Sequence, residues 1–350
     1  MNRDMIIEQL EKWEENEIFY RDFYQFTNGN SRNEEELQNF LEEKNPSEEE
    51  RSMVLHPSEN RQYVAEEQYF HGDCNVVLTK HPRYVPYFMH RHAFFEMIYV
   101  LSGKCTQVFE DCEISLKKGD LCLMAPEVCH GIGVFDDSVV INILIRHSTF
   151  LDIFLNTIRD KSQISLFFLG NMYEKDKTRY LLYHTGGDAL IRNYILDMYR
   201  EQLHMDRYSD RITCSLLTIF FAQLTRLYGR TVYVSDFRSN KLQYGSEMVS
   251  YIVEHYDSIT LEGLAEYFHF SVPHCSRMIK KTAGISFSDL LTKVRLQQGE
   301  NMLVHTQMNI ADISIRVGYK NPETFIRCFS RYYHMSPTQF RKKQNAQTFI

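Results

Sequence analysis

The spacing of hydrophobic and polar residues changes along the chain, and each change marks a different kind of element. Between residues 63 and 145, β-branched and aromatic residues cluster in short segments at 75–79, 95–101, 105–109, 120–124 and 139–145. Turn signals at Ser102-Gly103 and at 118–120 separate these segments. Several short strands at this spacing predict a small β-barrel or sandwich.

Helical periodicity is found on both sides of these strands. An amphipathic stretch from Met5 to Phe26 predicts a helix, while residues 28–51 offer little to bury and predict a helix with loose flanks or a disordered link. Residues 149–228 are read as helical throughout, and the polar run 231–244 as a linker. The helices of 149–228 are expected either to hold a dimer contact and connect the two ends of the chain, or to pack on the barrel.

The last hundred residues contain the same pattern twice: a short helix, a turn, and a second helix with basic residues on one face. The first copy spans 259–281 and the second 310–331. Thr260, Ser271 and Asn321 are suitable N-caps, and Pro322 is suitable as a first helical residue. This is the pattern of a helix-turn-helix, whose second helix enters the major groove of DNA.

Each second helix has side chains that would face the groove. We expect base or groove contacts from Pro273, Ser276 and Arg277 in the first copy, and phosphate contacts from a second set of basic residues. In the second copy the groove-facing positions hold Pro322, Glu323, Ile326 and Arg327. The expected phosphate ligands are Lys280, Lys281, Arg331 and the basic run 341–343. A guanidinium can pair with guanine in a bidentate manner, so Arg277 and Arg327 are the best candidates for base recognition.

A single helix over 286–304 joins the two copies and would fix the distance between the reading helices. On B-DNA this distance should approach one turn, about 34 Å. The expected partner is therefore double-stranded DNA, contacted in adjacent major grooves.

A net charge of −7 would by itself argue against binding to DNA, but the charge is distributed unevenly along the chain. Residues 240–350 hold 13 Lys+Arg against 9 Asp+Glu, whereas residues 1–50 hold 5 against 15. The acidic first fifty residues are therefore a candidate shield for the basic region.

No apolar stretch reaches the roughly 20 residues of a membrane span, and no signal peptide is apparent at the start. The eight cysteines form no C-x-x-C pair, which fits reduced thiols in a cytoplasmic protein.

The C-terminal residues resemble the AraC/XylS family of bacterial transcription regulators. The resemblance rests on fixed spacings over about a hundred residues: Ala283-Gly284, Arg295-Leu-Gln-Gln-Gly299, Ile310-Ala-Asp-Ile313, Val317-Gly-Tyr319, Phe325, Phe329, Ser336-Pro337 and Phe340-Arg341. It implies a seven-helix DNA-binding domain and groove contacts at the positions named above. This chain departs from the family at Gly299 and Ser314, where alanine is usual, and at His334, where glycine is common.

The segment from His90 to His130 is similar to the two motifs of the cupin barrel, which such regulators often carry as an effector-binding domain. His90 and His92, two apart on a strand, face the same way, and Glu96 and His130 complete the set. We expect these four to line an effector pocket. Tyr87, Phe88, Phe94 and Phe95 could add aromatic walls, although core packing is the expected role for most of them. The same four could hold a metal ion, but no metal or cofactor is expected. Tyr84 and Glu127 stand where the cupin motifs usually have glycine, and Cys129 where proline is usual.

The sequence thus predicts an α+β multidomain protein without enzymatic activity. Its parts are an acidic, partly helical extension (1–58), a cupin-like barrel (59–148), a helical dimerisation segment (149–230), a linker (231–243) and an all-α tandem helix-turn-helix domain (244–345). The expected function is that of a homodimeric transcriptional regulator, an activator that acts with RNA polymerase and responds to a small molecule such as a sugar. The alternatives are a metal-dependent cupin enzyme with a DNA-binding tail, a DNA-repair methyltransferase, and an architectural DNA binder.

Overall fold

The structure is a computed structural model that describes residues 1–28, 34–55, 63–72, 74–146, 162–173, 179–235 and 243–347. By its contacts the chain divides into two compact units, one of residues 1–153 and 179–235, the other of residues 154–178 and 236–350. Within the described residues, no helix has the length and apolar character needed to cross a membrane.

The first unit is built around eleven described strands. They are β1 (Tyr63–Val64), β2 (Val76–Lys80), β3 (Arg91–His92), β4 (Phe95–Ser102), β5 (Lys104–Phe109), β6 (Glu113–Lys117), β7 (Asp120–Met124), β8 (His130–Gly133), β9 (Val139–Ile145), β10 (Tyr180–His184) and β11 (Tyr233–Val234). A six-stranded antiparallel sheet has the order β11-β10-β7-β4-β9-β2, and a three-stranded sheet the order β6-β5-β8. A short parallel pair joins β1 to β3.

Alternating residues of both sheets form the core between them. Ile98 and Val100 on β4, Cys122 and Met124 on β7, and Ile132 on β8 belong to one buried cluster. Because side chains of a strand alternate between its faces, the same alternation determines which polar residues enter this interior. The five strands expected from the sequence are all present, and the barrel-like sheet architecture is confirmed.

Four helices precede the strands: α1 (Arg3–Glu11), α2 (Glu15–Thr27), α3 (Glu34–Lys44) and α4 (Glu48–Leu55). The expectation that residues 28–51 have little to bury is wrong, since Leu41 on α3 is completely buried in a cluster with Phe19, Val54 and Val85. The Glu17 carboxylate on α2 is also buried, within 2.9 Å of the Arg83 Nε and 2.7 Å of the Lys80 Nζ. The acidic extension is therefore an integral part of the first unit.

The expected helical segment 149–230 contains more than helices. It includes α5 (Gln163–Tyr173), α6 (Ala189–His204) and α7 (Ser209–Tyr228), but also the strand β10. The prediction was wrong at β10 because its residues, Tyr-Leu-Leu-Tyr-His, are apolar on both faces and are buried between β7 and β11. The expected linker 231–243 likewise contains β11, which pairs with β10. Residues 147–161 and 236–242 lie outside the described part of the chain.

Seven helices are described in the C-terminal region, as the family resemblance implied: α8 (Gln243–Glu254), α9 (Leu261–Tyr267), α10 (Val272–Ala283), α11 (Phe287–His305), α12 (Ile310–Arg316), α13 (Pro322–Tyr333) and α14 (Pro337–Gln347). The long helix α11 packs against α10 on one side and against α12 and α13 on the other. Helix α5, which lies between β9 and β10 in the sequence, packs against α8 within this second unit.

Candidate DNA-reading surface and effector site

Side-chain hydrogen bonds begin helix α9 and the reading helix α13 where the sequence predicted. The Thr260 hydroxyl accepts from the Gly263 N–H at 3.1 Å and so caps α9, and the Asn321 side chain accepts from the Glu323 N–H at 2.8 Å at the start of α13. Ser271 occupies the N-cap of α10, but its side chain makes no capping hydrogen bond. Both reading helices have a proline in the first turn, where the missing N–H has no partner in any case.

Each reading helix buries one face and exposes the opposite one. Cys275 and Ile279 anchor α10, and Phe325 and Phe329 anchor α13, all fully buried. The charged candidates on both helices and Pro273 are exposed, whereas Pro322 and Ser276 are half-buried. The exposed candidates are Pro273, Arg277, Lys280, Lys281, Glu323, Ile326, Arg327 and Arg331. Since α11 packs on both helices, the two surfaces belong to one rigid body.

One expected phosphate ligand has a structural role instead. The Arg341 Nε donates to the carbonyl oxygen of Leu303 at 3.1 Å, close to the last turn of α11, and the side chain is half-buried. Lys342 and Lys343 are exposed, so the basic run 341–343 offers two side chains to a phosphate rather than three.

At each of the three positions where this chain departs from the family pattern, the structure shows what the residue contacts or which conformation it adopts. A Cβ on Gly299 would lie 2.7 Å from the Cε2 of Phe325, so this glycine makes room for the ring that anchors α13. His334 adopts a left-handed conformation (φ 57°), which explains why glycine is common at this helix end. The buried hydroxyl of Ser314 has no hydrogen-bond partner among the described residues.

In the barrel, the structure brings the four predicted effector residues together. His90 precedes β3, His92 ends it, Glu96 lies on β4 and His130 begins β8. Backbone hydrogen bonds in both directions join His90 to His130, and their ligand atoms with those of His92 and Glu96 all lie within 4.8 Å of one another. His92, Glu96 and His130 are buried, while His90 is half-buried and forms the solvent side of the cluster.

The predicted aromatic walls are only partly available to a ligand. Phe94 stacks on His92 with a centroid separation of 4.4 Å, and Phe88 stacks on His90 at 4.6 Å. Phe94 and Phe95 are buried in the core, whereas Tyr87 is exposed and Phe88 is half-buried. Phe94 and Phe95 therefore belong to the core, and Phe94 supports the ring of His92. Tyr87 and Phe88 remain candidates for ligand contact.

Hydrogen bonds determine how the histidine rings are protonated. The Nδ1 atoms of His92 and His130 lie 2.7 and 3.0 Å from the carbonyl oxygens of Phe94 and Val128, and that of His90 lies 3.4 Å from the Phe88 carbonyl. A carbonyl only accepts, so each Nδ1 can bond to its carbonyl only as a donor. On the other side of the ring, the Nε2 atoms of His92 and His130 lie 3.1 and 3.0 Å from the Glu96 Oε2.

Burial and charge shape the electrostatics of this cluster. Burial lowers the pKa of His90 to about 3, with a further contribution from His130, so its ring is neutral at physiological pH. Burial by itself would raise the pKa of Glu96, but hydrogen bonds from His130 and His92 at 3.0 and 3.1 Å hold it well below its usual range.

This donor set suits a metal ion. Imidazole nitrogens and a carboxylate are ligands of first-row transition metals, and an Nδ1–H bonded to a backbone carbonyl is the usual outer contact of a metal-bound histidine. His90, His92, Glu96 and His130 would hold the ion, which would act as a Lewis acid toward a bound molecule.

Three further buried polar groups lie in the barrel, and none was identified from the sequence. Gln107 on β5 is fully buried and its Oε1 has no partner among the described residues. Asn142 on β9 approaches the Nδ1 of His81 at 3.4 Å, and the Asn142 Oδ1 and His81 Nε2 are also unpaired in the described part of the chain. The alternation of Cys105, Gln107 and Phe109 along a predicted strand was a signal for the inward position of Gln107.

The two positions where glycine is usual in the cupin motifs retain the conformation that favours glycine. Tyr84 has φ 63° and Glu127 has φ 68°, both in the left-handed region. The Glu127 N–H donates to the His92 carbonyl at 2.9 Å, so the turn it forms helps to hold a cluster residue.

Two family models match this chain, and both agree with the fold. An "AraC-like ligand binding domain" matches residues 76–208, and a "Helix-turn-helix domain" matches residues 264–343. The first range covers β2 to β10, helix α6 and the four residues of the cluster, and the second covers both reading helices.

Known proteins with similar sequences are transcription regulators. The chain is 20% identical over 258 residues to the HTH-type transcriptional activator RhaS of Enterobacter sp. (strain 638), covering 73% of this chain and 88% of that protein. It is 21% identical over 278 residues to the activator RhaR of the same organism, covering 78% and 93%. It is 34% identical over 83 residues to the lactose operon transcription activator of Staphylococcus xylosus, covering 24% and 30%.

Solved structures give a weaker comparison. ToxT from Vibrio cholerae is 12% identical and covers 76% of this chain and 97% of its own, with a TM-score of 0.31. The C-terminal domain of AraT from Geobacillus stearothermophilus is 34% identical and covers 31% of this chain and 88% of its own, with a TM-score of 0.28. The matched AraC-like ligand-binding domain, the helix-turn-helix domain that follows it and the transcriptional activators among the relatives together show a DNA-binding transcription regulator with an AraC-like ligand-binding domain.

Proposed function

We propose that this regulator is a cytoplasmic homodimer that activates transcription with RNA polymerase when a sugar-like effector binds in the barrel. The observation that carries the DNA-reading part is the pair of equivalent reading helices, α10 and α13, each with an exposed arginine at the same place, Arg277 and Arg327. Because both helices pack on the 19-residue helix α11, their spacing is fixed. The pair would read two successive major grooves.

Direct readout of base edges is assigned to the first two turns of α10 and α13. Pro273, Ser276 and Arg277 would face one groove, and Pro322, Glu323, Ile326 and Arg327 the next. Lys280, Lys281 and Arg331 lie further along each helix and are exposed, which suits contacts with phosphates. A bidentate arginine–guanine contact discriminates by about 1–3 kcal/mol against other bases.

The test is selection from a library of random duplexes by the full chain. We expect a bipartite site, with Arg277→Ala relaxing one half and Arg327→Ala the other. Arg316→Ala is the matched control, because Arg316 is exposed in the second copy but lies on α12 rather than on a reading helix. Enrichment of no preferred sequence, or the same change of preference from all three variants, would contradict the tandem reader.

The effector site is assigned to His90, His92, Glu96 and His130. Ring nitrogens and carboxylate oxygens can accept hydrogen bonds, and a polyhydroxylated molecule such as a sugar supplies many donors. The half-buried His90 marks the side from which a ligand would enter. An effector that binds one conformation better than another shifts the population toward it, and so changes DNA affinity.

Homodimerisation is assigned to α7. Tyr208, Ile212 and Ile219 are all exposed by more than 40% and lie within about 40° of one another around the helix. An exposed apolar stripe of this kind suits the same helix of a second copy. Helix α5 is the candidate connection between sensor and reader, because it comes from between two barrel strands and packs on α8.

A second candidate function is metal-dependent, and the closeness of the four donor groups favours it. One ligand atom from each of the three histidines and from Glu96 lies within 4.8 Å of the others, as a shared cation would require. The ion would serve either as the signal itself or, in an enzyme, as the Lewis acid. The relatives are transcription regulators, so sensing is the preferred role.

A further inference from the structure

One buried side chain in the barrel has no structural reason to be polar. Gln107 lies on β5 between Cys105 and Phe109, which both belong to the apolar core between the sheets. Because side chains alternate along a strand, Gln107 faces the same interior, and it is completely buried.

The amide of Gln107 is poorly satisfied there. Its Nε2 lies 3.2 Å from the Sδ of Met124, a weak acceptor, and its Oε1 has no partner among the described residues. A buried acceptor without a donor costs free energy that an apolar residue of similar size would not. Residues that weaken the free protein in this way are commonly kept for function.

The strand register places this amide beside the effector cluster. Met124, which the amide contacts, is the direct partner of Glu96 across β7 and β4. Phe109, two residues along β5 on the same face, is the direct partner of His130 across β5 and β8. On the side facing the core, Gln107 is therefore one residue removed from Glu96, through Met124, and one residue removed from His130, through Phe109.

We propose that Gln107 is a specificity-determining residue of the effector site, whose Oε1 accepts a hydrogen bond from a hydroxyl group of the bound molecule. The inference rests on the proposed sugar-like effector and adds a deeper contact to it. Glu96 and the histidines hold the ligand near the solvent side, and Gln107 selects molecules with a donor at the buried end. A ligand lacking that hydroxyl leaves the amide unpaired and binds more weakly.

The test compares Gln107→Leu with the unaltered full chain. Neutral aldopentoses and aldohexoses, including D-xylose and D-galactose and their single-deoxy analogues, are titrated into each protein by calorimetry. We expect at least one sugar to bind the unaltered chain, to bind Gln107→Leu about tenfold more weakly or worse, and to lose its preference over one deoxy analogue in that variant.

Thermal unfolding without sugar provides the second measurement. Gln107→Leu should unfold at the same or a higher temperature than the unaltered chain. The matched control is Gln298→Leu. Gln298 is also buried, but among the described residues its amide has no atom that is both buried and unpaired. Its replacement should therefore lower the unfolding temperature. An equal loss of stability in both variants would show that the Gln107 amide is structural and overturn the proposal.

The remaining outcomes separate this inference from the proposed function. If a sugar binds both proteins equally, Gln107 is not a specificity residue, while the sugar-responsive regulator stands. If no sugar binds the unaltered chain, the sugar-like effector and the role of Gln107 are both overturned. DNA selection by Arg277 and Arg327 is unaffected by either result.

Discussion

Tyr180 and Ser235 are joined by two hydrogen bonds: the Tyr180 N–H donates to the Ser235 hydroxyl at 2.8 Å, and the Ser235 N–H donates to the Tyr180 carbonyl at 3.1 Å. Tyr180 follows residue 178 and Ser235 precedes residue 236, the points where the chain changes from one compact unit to the other. Tyr180 also pairs with Met124, the strand neighbour of Glu96. The two hydrogen bonds thus join two points at which the chain passes from one unit to the other. Tyr180 lies on β10, and the single strand β7 separates β10 from β4, which carries Glu96.

Replacing this hydroxyl should destabilise the barrel. Ser235→Ala leaves the buried Tyr180 N–H without its acceptor, so we expect a loss of about 1–3 kcal/mol in the free energy of unfolding. Ser215→Ala is the control, since Ser215 is exposed on α7 and bonds only to its own helix. Chemical unfolding followed by tyrosine fluorescence measures both, and equal stability of the two variants would contradict the role given to Ser235.

Acid should weaken the attachment of α2 to the barrel. Burial would raise the pKa of Glu17, but hydrogen bonds from Arg83 and Lys80 outweigh it and lower the pKa to about 2 from an ordinary 4.5. The ionised form is therefore stabilised by folding. Its contribution, about 3 kcal/mol, is complete above pH 4.5 and is lost as the pH falls from there through 2. Glu14, 3.8 Å from Lys80, is exposed and adds little.

The measurement is unfolding by urea at pH 7, 4 and 3. Glu17→Gln leaves two buried cations without their carboxylate, so we expect it to be less stable by about 3–5 kcal/mol at pH 7 and to show a smaller decline toward pH 3. Glu15→Gln, an exposed neighbour on the same helix, should follow the unaltered chain. A decline with pH that is the same in Glu17→Gln and in the unaltered chain would refute this assignment.

The DNA-binding domain should be more stable toward unfolding with alanine at position 314. Ser314→Ala removes a buried hydroxyl that has no partner in the described part of the chain and inserts the best helix former, so we expect a gain of about 1 kcal/mol. Ser288→Ala on the exposed face of α11 controls for helix propensity alone. A destabilised Ser314→Ala would mean that the hydroxyl is bonded in solution.

Under the metal-dependent candidate, the histidine cluster should bind one divalent transition metal ion per chain. Zn²⁺ or Ni²⁺ is titrated into metal-free protein, and binding is read as heat and as a rise in the unfolding temperature. His92→Ala together with His130→Ala should abolish both signals, whereas His184→Ala, a half-exposed histidine paired with Asp120, should not. Absence of stoichiometric binding to the unaltered chain would exclude this candidate.

Dimerisation through α7 should be sensitive to charge on its exposed stripe. Ile219→Asp is expected to shift the protein toward monomer, because a carboxylate would be buried between two copies. Ile315→Asp controls for the loss of an exposed isoleucine elsewhere, since Ile315 is 64% exposed on α12. Sedimentation velocity gives the masses, and a dimer that persists in Ile219→Asp would remove α7 from the interface.

The sequence by itself determined the elements with strong local signals. The tandem helix-turn-helix follows from helical spacing, from caps such as Thr260 and Asn321, and from Pro322 in a first turn, all of which act over a few residues. The strands of the barrel follow from alternation and turns, and the grouping of His90, His92, Glu96 and His130 followed from the resemblance to cupins.

Only the tertiary structure decided features that depend on residues far apart in the chain. The strand β10 is apolar on both faces because two strands and a core enclose it, and local periodicity does not distinguish this from a buried helix. Glu17 is buried because Arg83 and Lys80 compensate its charge from 66 and 63 residues away. The unpaired amide of Gln107 likewise becomes visible only when the opposite strands are in place, since hydrogen-bond satisfaction is a property of the folded neighbourhood rather than of the sequence.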